Sequence, residues 1–314
     1  MKLKEAIDGF LLFKEAGGLR KRTCALYAYH LGQFREWQGD VSIEAIHPGD
    51  INAFLAWLRT EYRPVRPGGD DRPLSSQSVY NAWTALKSFV RWTHETLATP
   101  DIMTGHVPRP RVRNDEQAPF TEDEVGRLLK SVKPTKSARA TSGLYYQTDL
   151  RDKALIMTLL DTGLRAGELC RLTVGDVHLS SGRVVVADGK GGKSRHVWVG
   201  SRTRPALWRY LQERDALDPA APLFVSATGK ALTVSALRKR LVAIGARCDV
   251  PDAHPHRFRY TFSIQYLRNG GDIYTLQALL GHSSLTMVSH YLKIAQADVE
   301  NAHRRASPVD NWLK

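Results

Sequence analysis

Apolar residues recur every three or four positions through most of the chain, which is the spacing that places them on one face of an α-helix. The first such stretch covers residues 4–16, and Thr23 suits the N-cap of the next helix. The last of four such stretches ends near residue 97, with Ser75 or Ser76 as its N-cap. No strand pattern interrupts them, so residues 1–97 are predicted to form an all-α domain.

A proline-rich stretch follows this domain. Proline excludes helix and favours extended chain, so residues 98–118 are predicted to be an interdomain linker. The linker carries Arg109, Arg111 and Arg113. These arginines have two open interpretations, because a solvated linker and a linker that follows a DNA backbone would both be basic.

The remainder, residues 119–314, mixes helical and strand patterns. Thr121 and Glu124 have the spacing of a capping box that begins a helix. Residues 183–200 contain two β-rich runs around a glycine-rich turn, which predicts a hairpin. Further helices are predicted over residues 150–161, 203–215, 233–247, 257–269, 272–280, 285–294 and 296–306. The fold class is therefore mainly α with a small antiparallel β-sheet.

Charge points to a nucleic-acid partner. Forty-five Lys and Arg against 32 Asp and Glu give a net charge of +13 and a pI near 9.7. Basic side chains bind DNA by displacing counterions from its phosphates, although a solubilising positive surface would have the same composition. The three cysteines are widely separated, so neither a disulfide framework nor a cysteine zinc site is predicted. We expect a cytoplasmic protein with no signal peptide and no membrane span.

The hairpin turn resembles a nucleotide-binding loop only superficially. Ala187-x4-Gly192-Lys193-Ser194 satisfies a permissive P-loop pattern. A P-loop must lead into a helix whose amino terminus binds the phosphates, whereas Ser194 leads into a β-rich run. Nucleotide hydrolysis is therefore excluded, and Lys190 remains as a lysine at a hairpin tip.

Taken singly, the other polar residues have ordinary structural interpretations. Arg165 and Glu168 are spaced for a local ion pair worth about 0.3–0.5 kcal/mol. His254 and His256 lie two residues apart and share no helix face, so no metal site is predicted. A histidine between two helices, such as His282, is often structural.

The order of these residues along the chain is more informative than any one of them. TGLRAGEL, PHRFRYTF and LLGHSSLTMVSHY are the densest segments of a pattern that resembles the catalytic domain of the tyrosine recombinases, the phage integrase family. The resemblance covers about residues 119–306, and the amino-terminal half resembles more loosely the family's SAM-like core-binding domain. The matching residues are Arg165, Glu168, Lys190, His256, Arg259, His282 and Tyr291.

The resemblance implies a reaction centred on Tyr291. Its hydroxyl would attack a DNA phosphate to form a 3′-phosphotyrosine and release a 5′-hydroxyl. Arg165 and Arg259 would clamp the phosphate oxygens, and His282 would add a hydrogen bond. His256 would act as general acid/base near the tyrosine. The ester retains the bond energy, so no cofactor, ATP or metal is expected.

The remaining matches have supporting roles. Lys190 would protonate the leaving 5′-oxygen, with Lys193 of the same turn as its competitor. Glu168 would orient an arginine or a histidine. One position departs from the family pattern, because the residue after Arg259 is commonly histidine in the family and is Tyr260 here. This difference should alter packing more than chemistry.

The implied function is site-specific recombination of double-stranded DNA by a homotetramer through a Holliday junction. An integrase or transposase of a mobile element is the first choice, and a chromosome-dimer resolvase is the runner-up. A type IB topoisomerase and a catalytically silent DNA-binding protein are the further alternatives. The segment after about Ala295, which includes Trp312, could dock onto a neighbouring protomer or pack on its own. A cytoplasmic, nucleoid-associated location would suit this substrate.

Overall fold

The computed structural model describes residues 1–65, 71–112, 118–132, 148–187, 194–214, 218–281, 303 and 307–312. The chain divides into two compact units, Met1–Glu116 and Gln117–Lys314. The predicted limits 1–97, 98–118 and 119–314 remain predictions, because this division marks a single break. Most described residues are helical and one small antiparallel sheet is present, so the predicted fold class is confirmed.

Four α-helices form most of the described part of the amino-terminal unit. They are α1 (Leu3–Ala16), α2 (Lys21–Gln38), α3 (Pro48–Thr60) and α4 (Ser76–Leu97), with a 3-10 turn at Ile43–Ala45. Phe10, Phe34 and Phe54 are among the fully buried side chains where these helices meet. The Ser75 hydroxyl accepts a hydrogen bond from the Ser78 amide and so caps α4.

Two details of this unit differ from the predictions. Thr23 is not an N-cap, because α2 begins earlier, at Lys21, after Arg20. Met103 and Val107 are buried in the core of this unit, and the chain between them forms a turn. Asp101 precedes this turn, and its carboxylate accepts from the Met103 amide. The stretch predicted as an extended linker therefore begins with a packed turn. Apolar side chains between prolines were sufficient to fold it onto the core.

The carboxy-terminal unit combines helices with the sheet. Its described helices are α5 (Glu122–Ser131), α6 (Thr148–Thr162), α7 (Ala166–Arg171), α8 (Thr203–Gln212), α9 (Val234–Arg247), α10 (Pro255–Arg268), α11 (Ile273–Leu280) and α12 (Pro308–Trp312). A 3-10 turn at Val174–Asp176 leads into strand β1 (Val177–His178), and β2 (Arg183–Val186) pairs with β3 (Arg195–Trp198). The strand order is β1-β2-β3, antiparallel throughout.

Helix α6 lies at the centre of this unit. It packs against α8 and α10, and it buries Leu155, Ile156 and Leu159. The sheet adds Val184 and Val197, which are paired across β2 and β3 and buried on the same side. The apolar face of the sheet and the central helix therefore form one core.

The capping box predicted at the start of α5 is confirmed. The Thr121 hydroxyl accepts from the Glu124 amide at 3.1 Å, and the Glu124 carboxylate accepts from the Thr121 amide at 2.8 Å. The predicted hairpin is also present, but its turn, 188–193, lies outside the described residues. The helices predicted over 285–294 and 296–306 fall almost wholly outside them as well. None of the helices in the described ranges combines the length and apolar character needed to cross a membrane.

Candidate active site

Arg165 is placed by a tight turn between α6 and α7. Gly163 ends α6 with a left-handed φ of +59°, which glycine adopts without strain. Arg165 then occupies the N-cap position of α7, where its amide and its Nη1 both donate to the Glu168 carboxylate at 2.8 Å. Its side chain remains 45% exposed. Arg165 is therefore held at its base while part of its guanidinium faces solvent.

Glu168 binds two arginines with one carboxylate. Besides the hydrogen bonds from Arg165, the carboxylate accepts one from Arg195 Nη1, at 3.0 Å, and one from Arg195 Nη2, at 2.8 Å. Its side chain is only 8% exposed. Burial alone would raise the pKa of Glu168, but the hydrogen bonds from Arg195 and Arg165 outweigh it and lower the pKa to about 2. The carboxylate is therefore ionised throughout the neutral range.

Arg259 reaches the same region from α10. It is 4% exposed, and its two terminal nitrogens donate to the carbonyl oxygens of Gly163, at 2.7 Å, and Leu280, at 2.9 Å. Arg165 Nη2 donates to the next carbonyl, that of Gly281, at 3.3 Å. Two arginines that are 94 positions apart in sequence thus donate hydrogen bonds to consecutive carbonyl oxygens at the end of α11. The structure brings this predicted pair together.

His256 lies three residues before Arg259, which places it on the same side of α10. Its side chain is exposed, yet partial desolvation by the surrounding residues lowers its pKa, and the positive charges of His254 and Arg259 act in the same direction. The neutral form, which can accept a proton, therefore dominates at neutral pH. His254 has a different role, because its Nδ1 accepts from the Arg257 amide and caps α10.

Three predicted site residues lie outside the described residues. They are Lys190, His282 and Tyr291, and Lys193, the competitor of Lys190, is outside them too. Lys190 belongs to the connection between β2 and β3, and His282 directly follows Gly281. Their roles stay predictions.

Arg195 is a site residue that the sequence did not single out. It opens β3, its side chain is 15% exposed, and its Nε donates to the Leu279 carbonyl at 2.8 Å. An arginine at the edge of a β-rich run looks like an ordinary solvated residue. The one feature of the sequence that could have pointed to Arg195 was its position just after the glycine-rich turn. A charged side chain there can reach groups on neighbouring helices.

The arrangement suits a phosphate diester. Guanidinium groups bind phosphate oxygens through charge-assisted hydrogen bonds, and two of them from Arg165 and Arg259 can stabilise charge that develops in a transition state. Among the described residues no cluster of three or more potential metal ligands occurs. The positive charge that these residues offer to a phosphate comes from arginine side chains.

Comparison with known proteins agrees with this chemistry. Residues 119–298 match the model of the phage integrase family, and residues 7–99 match the model described as phage integrase, N-terminal SAM-like domain. The chain therefore belongs to the phage integrase family, the tyrosine recombinases. The predicted family, the predicted class of enzyme and the predicted activity, site-specific DNA recombination, are confirmed.

Individual relatives span the whole chain. The tyrosine recombinase XerC of Pelobacter propionicus is 30% identical over 98% of this chain and 96% of its own. XerA of Thermococcus kodakarensis is 28% identical and covers 98% of both chains. The structure of the Tn1549 transposon integrase in complex with transposon right end DNA has a TM-score of 0.73 at 18% identity, covering 96% of this chain and 99% of its own. This last likeness is one of fold.

Proposed function

We propose that this recombinase cuts DNA through Tyr291. The phenolic oxygen bonds to phosphorus while the bond from phosphorus to the 5′-oxygen breaks, which leaves a 3′-phosphotyrosine and a 5′-hydroxyl. Attack by the 5′-hydroxyl of a partner strand reverses the step and rejoins the DNA. No bond energy is lost to water, so the reaction consumes no ATP.

The observation that carries this proposal is the pairing of Arg165 and Arg259 on the carbonyls of Gly281 and Leu280. A phosphate held by both guanidinium groups would lie beside the chain that continues into His282. Removing one such donor from a transition state typically slows catalysis by about 100- to 1000-fold.

Proton transfers complete the mechanism. The unperturbed pKa of tyrosine is about 10, so the Tyr291 hydroxyl needs a base. His256, held neutral beside Arg259, is suited to accept that proton. Lys190 would give a proton to the departing 5′-oxygen, and His282 would donate to a phosphate oxygen. Glu168 would fix the direction of Arg165.

Double-stranded DNA is the proposed partner, bound by a homotetramer that exchanges strands through a Holliday junction. The net charge of +13 supports the DNA partner, and a lambda integrase dimer bound to a core site is among the structural neighbours. In α12, Val309 is 61% and Trp312 is 82% exposed, which suits a tail that docks onto a neighbouring protomer. Packing of the tail in cis, on its own protomer, is the alternative arrangement. A cytoplasmic, nucleoid-associated enzyme would meet this substrate.

Two biological roles fit this activity. Integration or transposition of a mobile element is the first proposal, in line with the likeness of fold to the Tn1549 transposon integrase. Chromosome-dimer resolution is the second, and full-length similarity to XerC and XerA favours it. The DNA sites that the enzyme attacks distinguish the two roles.

The test is to capture covalent protein–DNA adducts in cells that carry the gene and to sequence the attached DNA. Wild-type protein should yield adducts at few sites, and peptide mapping should find the DNA on Tyr291. Tyr291→Phe should abolish the adducts. Tyr274→Phe is the matched control, because Tyr274 is an exposed tyrosine of α11 that has no assigned role.

Each result has a defined meaning. Sites at the ends of one element support the mobile-element role, and a single chromosomal site supports dimer resolution. Adducts spread over all supercoiled DNA without recombinant products would indicate a type IB topoisomerase. Adducts on another residue would overturn the assignment of Tyr291. No adducts at all would leave a silent DNA-binding protein.

A further inference from the structure

Arg195 joins three parts of the carboxy-terminal unit. Its backbone begins β3, its Nη1 and Nη2 donate to the two oxygens of Glu168, and its Nε donates to the Leu279 carbonyl. A bidentate arginine–carboxylate pair has a fixed geometry as well as a favourable energy. The side chain therefore ties the start of the strand to α7 and to the end of α11.

The backbone of Gly281 fits closely over this arginine. A Cβ at Gly281 would lie 3.2 Å from Arg195 Nη1 and 3.3 Å from its Cζ, and the φ of Gly281 is +63°. Arg165 Nη2 contacts the carbonyl of the same glycine. One glycine thus lies against both arginines that share the Glu168 carboxylate.

The contacts of Arg165 are easily rearranged. Its Nη1 is bound to Glu168 at 2.8 Å, but its Nη2 bond to the Gly281 carbonyl is long, at 3.3 Å, and the side chain is 45% exposed. Without Arg195, the buried Glu168 would lose two hydrogen bonds and keep those from the Arg165 amide and Nη1. Losing donors to a buried carboxylate is costly. Arg165 Nη2 belongs to the guanidinium whose Nη1 already binds Glu168, and it would swing inward to replace them.

We propose that Arg195 is a positioning residue for strand cleavage, which occupies both oxygens of Glu168 so that Arg165 keeps its second nitrogen facing the scissile phosphate. Arg195 does not touch the phosphate. Its effect passes through Arg165 and depends on the negative charge of Glu168. This inference rests on the proposed function, because it assigns a cause to the direction of one phosphate-binding arginine.

The experiment measures single-turnover adduct formation on nicked DNA that carries the mapped site, together with the affinity for that DNA. Arg195→Ala should slow adduct formation by about 100-fold, the usual effect of a misplaced catalytic group. Arg195→Lys should slow it by about 10-fold, because lysine retains the charge but not the bidentate fork. Affinity should change by less than about 3-fold. Arg183→Ala, an exposed arginine of the same sheet, is the matched control and should stay within about 2-fold of wild type.

A double variant separates positioning from mere support of the fold. Glu168→Gln removes the charge that would draw Arg165 inward, so Arg195→Ala with Glu168→Gln should react about 10-fold faster than Arg195→Ala alone. A purely structural arginine predicts that the second substitution adds to the defect. If Arg195→Ala does not fold, Arg195→Lys with and without Glu168→Gln gives the same comparison.

The failures are distinguishable. If neither the wild-type protein nor Arg183→Ala forms an adduct, the proposed function itself is overturned. Adduct formation by Arg195→Ala at the wild-type rate, or a double variant no faster than the single one, would overturn only the role of Arg195.

Discussion

Gly163→Ala tests the turn that places Arg165 and Arg259, the two arginines proposed to bind the phosphate. The φ of +59° costs an alanine about 1–2 kcal/mol. Its Cβ would also lie 2.3 Å from Cδ1 and 2.9 Å from Cε1 of Phe262, so the ring must move, at a typical cost of about 1–3 kcal/mol for overpacking. The carboxy-terminal unit should therefore lose roughly 2–5 kcal/mol of unfolding free energy.

Urea unfolding measures this loss. Gly18→Ala is the control, because Gly18 lies at the end of α1 with a positive φ, of +75°, but nothing lies within 4 Å of its Cβ position. Each variant reports on its own unit, and the control should lose only the conformational cost of about 1–2 kcal/mol. A Gly163→Ala protein that loses no more than the control would refute the steric part of this reasoning.

The same substitution should impair the reaction. The Gly163 carbonyl accepts from Arg259 Nη1 at 2.7 Å, so displacing that carbonyl displaces the arginine. We expect adduct formation to fall about 10- to 100-fold at temperatures where the variant is folded, while DNA affinity changes little. An unchanged rate in a destabilised variant would show that Arg259 does not depend on this carbonyl.

Three further predictions concern charge and pH. The pKa of Glu168 is about 2 in the folded protein, which is below its value in the unfolded chain. The ionised carboxylate therefore adds about 3 kcal/mol to the free energy of unfolding above about pH 5, and this contribution is lost as the pH falls towards 2. Glu168→Gln should flatten this part of the pH dependence, measured by urea unfolding. Arg257→Ala should destabilise the protein by about 3–5 kcal/mol in the same assay, because Nη2 of buried Arg257 donates to both carboxylate oxygens of Glu124. A loss below about 1 kcal/mol would contradict this. His256→Ala should slow adduct formation by about 100-fold or more, whereas His254→Ala should cost about 1 kcal/mol of stability as a lost cap and leave the reaction intact. Because partial desolvation lowers the pKa of His256 from its ordinary value, the neutral base should persist at pH 7 and the wild-type rate should not decline there. A decline already at pH 7 would argue against this histidine as the base.

Local sequence patterns predicted the helices well. The start of α5 follows from Thr121 and Glu124, whose side chains bond within one turn and need no distant partner. Thr23 misled the N-cap prediction, because α2 already begins at Lys21 and Thr23 lies within its first turn. Strand β1 was missed, since two residues are too few to show an alternating pattern.

The site was predictable only as far as a family pattern reached. Arg165 and Arg259 could be paired by resemblance, but their meeting at the end of α11 depends on carbonyl groups, which every residue carries. Arg195 has no distinctive local spacing, because its partners are 27 and 84 positions away. Such contacts arise from the packing of distant segments, which periodicity does not report.

The anchoring of the two arginines by main-chain oxygens has a consequence for redesign. Leu280 contributes its carbonyl to Arg259, and Gly281 contributes its own to Arg165, so these two contacts do not depend on the side chains at positions 280 and 281. Libraries that vary DNA-contacting positions on other surfaces can therefore leave the reaction centre intact. Insertions or deletions at the end of α11 would change the register of both anchors at once. Segment length at this turn is the quantity that an engineer must conserve.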